Sequence, residues 1–235
     1  MSHREPTPGA PIHLRPTAPL AERALLPGDP GRALALAQSL LTEPRMFNHH
    51  RGLWGYTGAA PDGEPLTIQA TGMGGPSAAI VLSELIALGA RRAIRVGTCG
   101  ALAPALALGD LVVARESICA DGTSRALGAG ERVAADPALT ETLLRCAPTA
   151  HAGTIVSVDL FYETGRRRSA DDALAIEMEA AALFAVGAAA RVPVACVLAV
   201  SDTFEESGAR NHIDDDSLLA AAERMGAVAA AALSA

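Results

Sequence analysis

Short apolar, β-branched runs alternate with longer Ala- and Leu-rich segments along this chain, and no other feature narrows its possible folds as much. Leu66 to Ala70, Ala93 to Val96, Leu111 to Ala114, Gly153 to Val156 and Val194 to Val200 each read as a strand. Ser77 to Leu88, Pro137 to Arg145 and Ser217 to Leu233 read as helices. Pro76 suits the first turn of the helix it opens, and Gly89 suits its end. Ala120 to Ala135, Gly-rich and polar, reads as a loop excursion. Such a β, α, β rhythm predicts one α/β domain with a mixed, mostly parallel central sheet flanked by helices. The 235 residues, half of them hydrophobic, are enough for one substantial core.

Composition then removes whole classes of chemistry. All 19 basic residues are arginine. A chain without lysine has no Schiff-base or pyridoxal-phosphate anchor and no P-loop lysine, so arginine and backbone N–H groups must hold any phosphate. A net charge of −7 argues against nucleic acid as a partner. Cys99, Cys119, Cys146 and Cys196 are scattered without metal-ligand spacing and read as reduced, packed thiols. Met1 to Pro11 lacks an apolar targeting core and reads as a flexible tail. No later stretch reads as a spanning helix free of charge and breakers, so no membrane partner and a cytoplasmic location are expected.

Ligands of open α/β sheets gather beyond the carboxyl ends of the strands. Four segments fall there: Pro27-Gly28-Asp29-Pro30-Gly31-Arg32, Thr71-Gly72-Met73-Gly74-Gly75, Gly97-Thr98-Cys99-Gly100 and Ser201-Asp202. The first reads as a turn into a helix start, with backbone N–H groups and Arg32 facing one way; an ordinary Gly-Asp-Pro turn with a surface arginine fits equally well. Arg95 lies inside an apolar strand, three residues before Thr98. Either it points at a bound anion or it forms an internal salt bridge with Glu177 or Glu179. Those two carboxylates, in Ile176-Glu177-Met178-Glu179-Ala180-Ala181, occupy one of the most apolar stretches and call for donors such as sugar hydroxyls. A plainer arrangement puts one of them in the first turn of a helix and the other in solvent. Asp202 closes a strand, where it either caps a turn or serves chemistry.

Taken in order, LLPGDPGRA, HRGLWGYTG, TGMGGPSAAI, RVGTCGAL, DLFY, EMEAA and Ser201-Asp202 resemble the nucleoside phosphorylase-I family, most nearly its bacterial hexameric purine branch, from about Ile12 to the end. The resemblance implies a nucleoside phosphorylase domain over 12–235 with a partly barrel-like sheet, and reversible phosphorolysis of purine nucleosides in salvage. Inorganic phosphate would be co-substrate, with no other cofactor and no metal. It implies phosphate binding by Gly28, Arg32, Arg95 and Thr98, with Arg45 lent by a neighbouring subunit, and His13 lent likewise to the 5′-hydroxyl. Met73, Glu177, Met178, Glu179 and Ser201 would face the nucleoside, Phe161 would wall it, and Asp202 would meet purine N7. A homo-oligomer built from dimers, as a hexamer, follows.

Partial burial would keep Asp202 protonated as the general acid. Arg210 is the nearby arginine able to assist it. The chain between Tyr162 and Glu177 is shorter than the family pattern, and Arg166 to Arg168 there read as a solvated charge run. His212 and Asp214 to Asp216 read as residues ahead of a helix rather than a metal cluster. Uridine phosphorylase is the alternative, although no Gln stands in the shortened segment to read a pyrimidine. A phosphate-independent nucleosidase would have no use for three converging arginines, and a non-catalytic nucleoside binder would not need to retain Asp202 and Glu179.

Overall fold

In the computed structural model, residues 11–162, 172–205 and 209–235 are described here; the expected tail up to residue 10 and the arginine run at 166–168 lie outside them. The strands are β1 (Arg23–Leu26), β2 (Thr42–Asn48), β3 (Gly55–Ala59), β4 (Pro65–Gln69), β5 (Arg92–Ala101), β6 (Leu111–Cys119), β7 (Arg132–Ala134), β8 (His151–Ser157), β9 (Ala175–Glu177), β10 (Val194–Phe204) and β11 (Arg210–His212). The helices are α1 (Pro30–Leu40), α2 (Gly75–Leu88), α3 (Gly122–Ala126), α4 (Pro137–Cys146), α5 (Ala180–Ala190) and α6 (Asp215–Ser234).

All the strands join one mixed sheet. β5 pairs with β10, β10 with β6, β6 with β8, β8 with β9 and β9 again with β5, so five strands close on themselves. That ring is the barrel-like part. Parallel pairing is confined to the interior, where β1 lies between β4 and β5, β5 beside β10, and β8 between β6 and β9. The hairpins β2–β3–β4 and the short strands β7 and β11 add antiparallel margins, so the sheet is less dominated by parallel pairing than the rhythm of the sequence suggests.

Local chemistry explains where the helices begin. Asp29, Asp136 and Asp214 each accept a hydrogen bond from a backbone N–H three residues on, capping α1, α4 and α6. Pro30 and Pro137 fill the following position, where a missing N–H costs nothing. Gly89 ends α2 at φ 117°, a left-handed conformation that glycine adopts freely. The excursion expected over 120–135 instead contains α3, capped by Asp121, and β7, paired with β6. Both are too short to leave a periodic signal.

Two apolar layers enclose the sheet. α2 and the alanine-rich α5 cover one face, where Leu82, Leu85 and Leu183 have no exposed surface; small side chains on α5 let the two helices approach. α1, α4 and α6 cover the other face with Leu36, Leu143, Met225 and Leu233. α6 is long and apolar enough by composition to span a membrane. In this fold its Ala221, Met225, Ala229 and Leu233 are buried against the sheet and its neighbouring helices. Cys99, Cys119 and Cys196 are buried free thiols, and Cys146 is half-buried.

Candidate active site

The carboxyl ends of β1, β4, β5 and β10 bring the glycine turns and the buried charges together. Arg95 on β5 is 2% exposed, so its charge must be met inside the protein. Its Nε donates to Glu177 Oε2 at 2.9 Å and its Nη2 to Glu179 Oε2 at 2.5 Å. Burial opposes the charge, but Glu179 and Glu177 overcome it and hold Arg95 above the ordinary arginine value. The internal salt bridge is therefore real and uses both carboxylates. It leaves Arg95 Nη1 buried without a hydrogen-bond partner. That nitrogen would lie 4.0 Å from a Cβ at Gly28, on the turn after β1.

Arg32, in the first turn of α1, faces the same place. Burial lowers its pKa, and the neighbouring charge of Arg95 lowers it further against the pull of Asp29 and Glu179. Two guanidinium groups converging on a glycine turn at a helix N-terminus, one of them with an unused N–H edge, offer donors suited to an anion. Thr98 is half-buried further along β5, opposite Ala199 of β10.

Glu177 lies beneath the cavity. Its carboxylate accepts from the backbone N–H groups of Glu179 and Ala180, from Arg95 and from the Ser157 hydroxyl. It serves the N-terminus of α5, realising the plainer helix-dipole reading for one of the two carboxylates. Both of its oxygens are taken by these groups, so in this structure it positions Arg95 and the 177–180 turn, and the nucleoside contact expected for it is not among its bonds. Burial, against the pull of Arg95, pushes its carboxyl above the usual range. Glu179 is the carboxylate nearer the open side, with Oε1 accepting from Gly74 N–H at 2.5 Å. Met73, 87% exposed, lies on that same loop, and Met178 is half-buried beside Glu179.

Asp202 ends the buried part of β10, next to a register shift that tucks Ser201 and Asp202 inward together. Ser201 Oγ lies 2.7 Å from Asp202 Oδ2 and 3.3 Å from Cys99 O, so it supports the carboxylate from within. On the other oxygen, Oδ1, Arg210 Nε donates at 2.5 Å and His212 Nδ1 lies at 2.7 Å. Burial would raise the Asp202 pKa, but Arg210, Ser201 and His212 outweigh it and hold the carboxyl below its usual value. The expectation of an Asp202 kept protonated by burial is thus corrected: its three partners favour the anion. The Arg210 guanidinium also sits 4.8 Å from the ring centre of Phe161, which is half-exposed and packs edge-on against Tyr162.

His13 and Arg45 lie away from this cavity. Glu84 of α2 collects the backbone N–H groups of Ile12, His13 and Leu14 together with His13 Nδ1, and so pins the start of the described chain. From there the chain runs back along β2: Arg15 N–H donates to Asn48 Oδ1, Thr17 N–H to Phe47 O, and His50 Nδ1 meets His13 O at 2.9 Å. Arg51, in the turn His50–Gly52 with φ 61°, is thereby level with His13, while Arg45 stands further down β2.

From the sequence Ser157, Glu84 and Arg51 carry no assigned role, and His212 reads only as a residue ahead of a helix. Ser157 and Glu84 carry no signal without their partners, and Arg51 stands unassigned within HRGLWGYTG. His212 could have been found, because residues 210 and 212 of a strand share a face.

The model of the phosphorylase superfamily matches residues 22–234. Among similar proteins, a DeoD-type purine nucleoside phosphorylase of Geobacillus kaustophilus is 37% identical over 201 residues, covering 79% of this chain and 83% of that one. One from Caldanaerobacter subterraneus subsp. tengcongensis is 35% identical over 197 residues, covering 78% and 84%. The solved structure of a uridine phosphorylase from Vibrio fischeri ES114 superposes with a TM-score of 0.81 over 92% of each chain at 24% identity, a likeness of fold. With its barrel-closed sheet, its arginine-lined glycine turn and a match running through nearly the whole chain, this protein belongs to the phosphorylase superfamily.

Proposed function

We propose that the chain is a purine nucleoside phosphorylase, a pentosyltransferase that exchanges purine for phosphate at C1′ of a nucleoside in nucleoside salvage. The carrying observation is the buried, unpartnered Nη1 of Arg95 facing the Gly28 turn and Arg32. A nucleosidase would leave that donor without a function, whereas phosphate satisfies it. Relatives at 35–37% identity named as purine nucleoside phosphorylases support the choice of base.

In this reading inorganic phosphate is the co-substrate and no other cofactor is needed. Gly28 N–H, Arg32, Arg95 and Thr98 hold the phosphate, and Glu179 accepts from the ribose hydroxyls, exchanging its Gly74 bond for theirs. Met73, Met178 and Phe161 border the nucleoside. Holding dianion and nucleoside in line supplies most of the rate by positioning, and Arg95, neutralised on one edge by Glu177 and Glu179, keeps the other edge for phosphate. Asp202 and Arg210 face the leaving base.

His13 and an arginine complete the phosphate and 5′-hydroxyl ends of a neighbouring subunit's site. Because an arginine lent together with His13 must leave from the same patch, the geometry favours Arg51 over Arg45. Ile12 and Trp54 expose apolar side chains near that patch, which supports a dimer-based homo-oligomer such as a hexamer. In this reading the enzyme works in the cytoplasm.

The test is release of free base from inosine, guanosine, adenosine and uridine, each with and without phosphate. Phosphate-dependent cleavage of purine nucleosides is expected. Cleavage without phosphate, or of uridine alone, overturns the reading.

A further inference from the structure

The corrected state of Asp202 leaves the departing purine without a proton source. An ionised carboxylate cannot donate to N7 as the glycosidic bond breaks. A second group must recharge it. Strand register supplies one, since Asp202 on β10 pairs directly with His212 on β11. The His212 ring nitrogen Nδ1 lies 2.7 Å from Asp202 Oδ1. The rest of the ring is half-exposed and helps line a separate cavity of about 440 Å³, bounded also by Gly109, Ile213, Asp214, Ser217 and Arg224. Histidine thus bridges the buried carboxylate and solvent.

We propose that His212 is the positioning residue that recharges Asp202 with the proton delivered to the leaving purine, drawing it from solvent through this second cavity. The inference rests on the purine phosphorolysis reading above. A phosphate oxygen bonds to C1′ as the C1′–N9 bond breaks and its electron pair passes into the purine. Protonated His212 gives its Nδ1 proton to Asp202 Oδ1, and Asp202 passes one proton to N7. Asp202 begins and ends the turnover ionised, while His212 ends neutral and regains a proton from water. Histidine is the ordinary side chain suited to gaining and losing a proton around neutral pH.

The charges around the ring fit this division of labour. Asp202 faces it from β10 and Arg210 from its own strand, while Asp214 and Arg224 of the α6 region border the cavity. Arg210 shares Oδ1 with His212 and fixes the carboxylate's orientation, but its guanidinium keeps its proton and cannot serve as the donor.

The experiment compares wild type with His212→Asn, in which the amide can keep a donor near the Nδ1 position without carrying a transferable proton. Two substrates are used: whichever of inosine or adenosine the wild type cleaves faster, and 7-methylguanosine, a cationic nucleoside whose N7 is already substituted. The variant is expected to lose about 100-fold or more in kcat on the ordinary nucleoside, within the range of general-acid contributions, and to lose the alkaline fall in its pH profile. Its kcat on 7-methylguanosine should stay within about threefold of wild type. Equal losses on both substrates would mark His212 as merely structural, and no loss on either would mark it as a bystander; each overturns the relay. A wild type that cleaves purine nucleosides only without phosphate overturns the parent reading instead, and one that cleaves none overturns both.

Discussion

Replacing Gly97 by alanine disturbs the anion end of the site without changing a charge. A Cβ at residue 97 would stand 2.6 Å from Arg95 Nη2, 2.7 Å from Cζ and 3.0 Å from Nη1. Ordinary contact begins near 3.4 Å, so the guanidinium must retreat by about 0.8 Å from its 2.6 Å position. It has little room to do so, because Nε and Nη2 are tied to Glu177 and Glu179. Overpacking of this kind costs about 1–3 kcal/mol. At about 2–4 °C per kcal/mol for a chain of this size, the melting temperature should fall by several degrees. Misplacing Nη1 forfeits a charge-assisted hydrogen bond to phosphate of about 1.5–3 kcal/mol. That corresponds to a KM for phosphate raised about 10- to 100-fold. Initial rates at saturating nucleoside and varied phosphate, with melting curves at matched protomer concentration, measure both effects. Gly130→Ala is the control, since a Cβ there meets nothing within 4 Å. A folded G97A variant with the wild-type KM for phosphate would refute the assignment of Arg95 Nη1 to the anion.

Three further outcomes follow from contacts already described. Ser157→Ala strips the Ala181 N–H of its acceptor and Glu177 of a donor, and should cost about 1–3 kcal/mol in urea unfolding; unchanged stability would discount that network. Glu84 has a lowered pKa: burial opposes the shift, but the N–H groups of Leu14 and His13 and the His13 ring outweigh it. Its stabilising share is therefore full above the ordinary value of 4.5 and disappears as pH falls through the lowered native value. The melting difference between wild type and Glu84→Gln should accordingly be largest near neutrality and vanish in acid, and a pH-independent difference would contradict the linkage. Arg51→Ala should raise the KM for phosphate about tenfold or more, while Arg45→Ala should change it less than about twofold; the reverse order would restore Arg45 as the lent arginine.

Much of the fold was legible in local chemistry. The runs at Leu66, Ala93, Leu111, Gly153 and Val194 coincide with β4, β5, β6, β8 and β10, because apolar, β-branched stretches bounded by breakers have few other uses. Asp-Pro starts fixed α1 and α4 as caps do in any protein. The glycine turns, Arg32, Arg95, Glu179 and Asp202 stand out in the sequence because charges and glycines inside apolar surroundings need a reason.

The sequence by itself determined the class of fold, the gathering of those residues beyond the strand ends, and the dependence of any phosphate on arginine. What it could not determine was which atom each charge meets. Arg95 could have faced an anion or a carboxylate; packing gives two of its nitrogens to Glu177 and Glu179 and leaves only Nη1 free for a ligand. Glu177 and Glu179 look equivalent in the chain, but β9 turning into α5 buries one under the helix N-terminus and leaves the other at the cavity. Asp202 was expected to be neutral from burial alone. Its ionisation depends on Arg210 and His212, which lie eight and ten residues away and reach it only because β11 folds back along β10. Burial is legible from composition and periodicity, whereas pairing depends on distance across the fold, and at 3 Å that distance decides protonation and therefore chemistry.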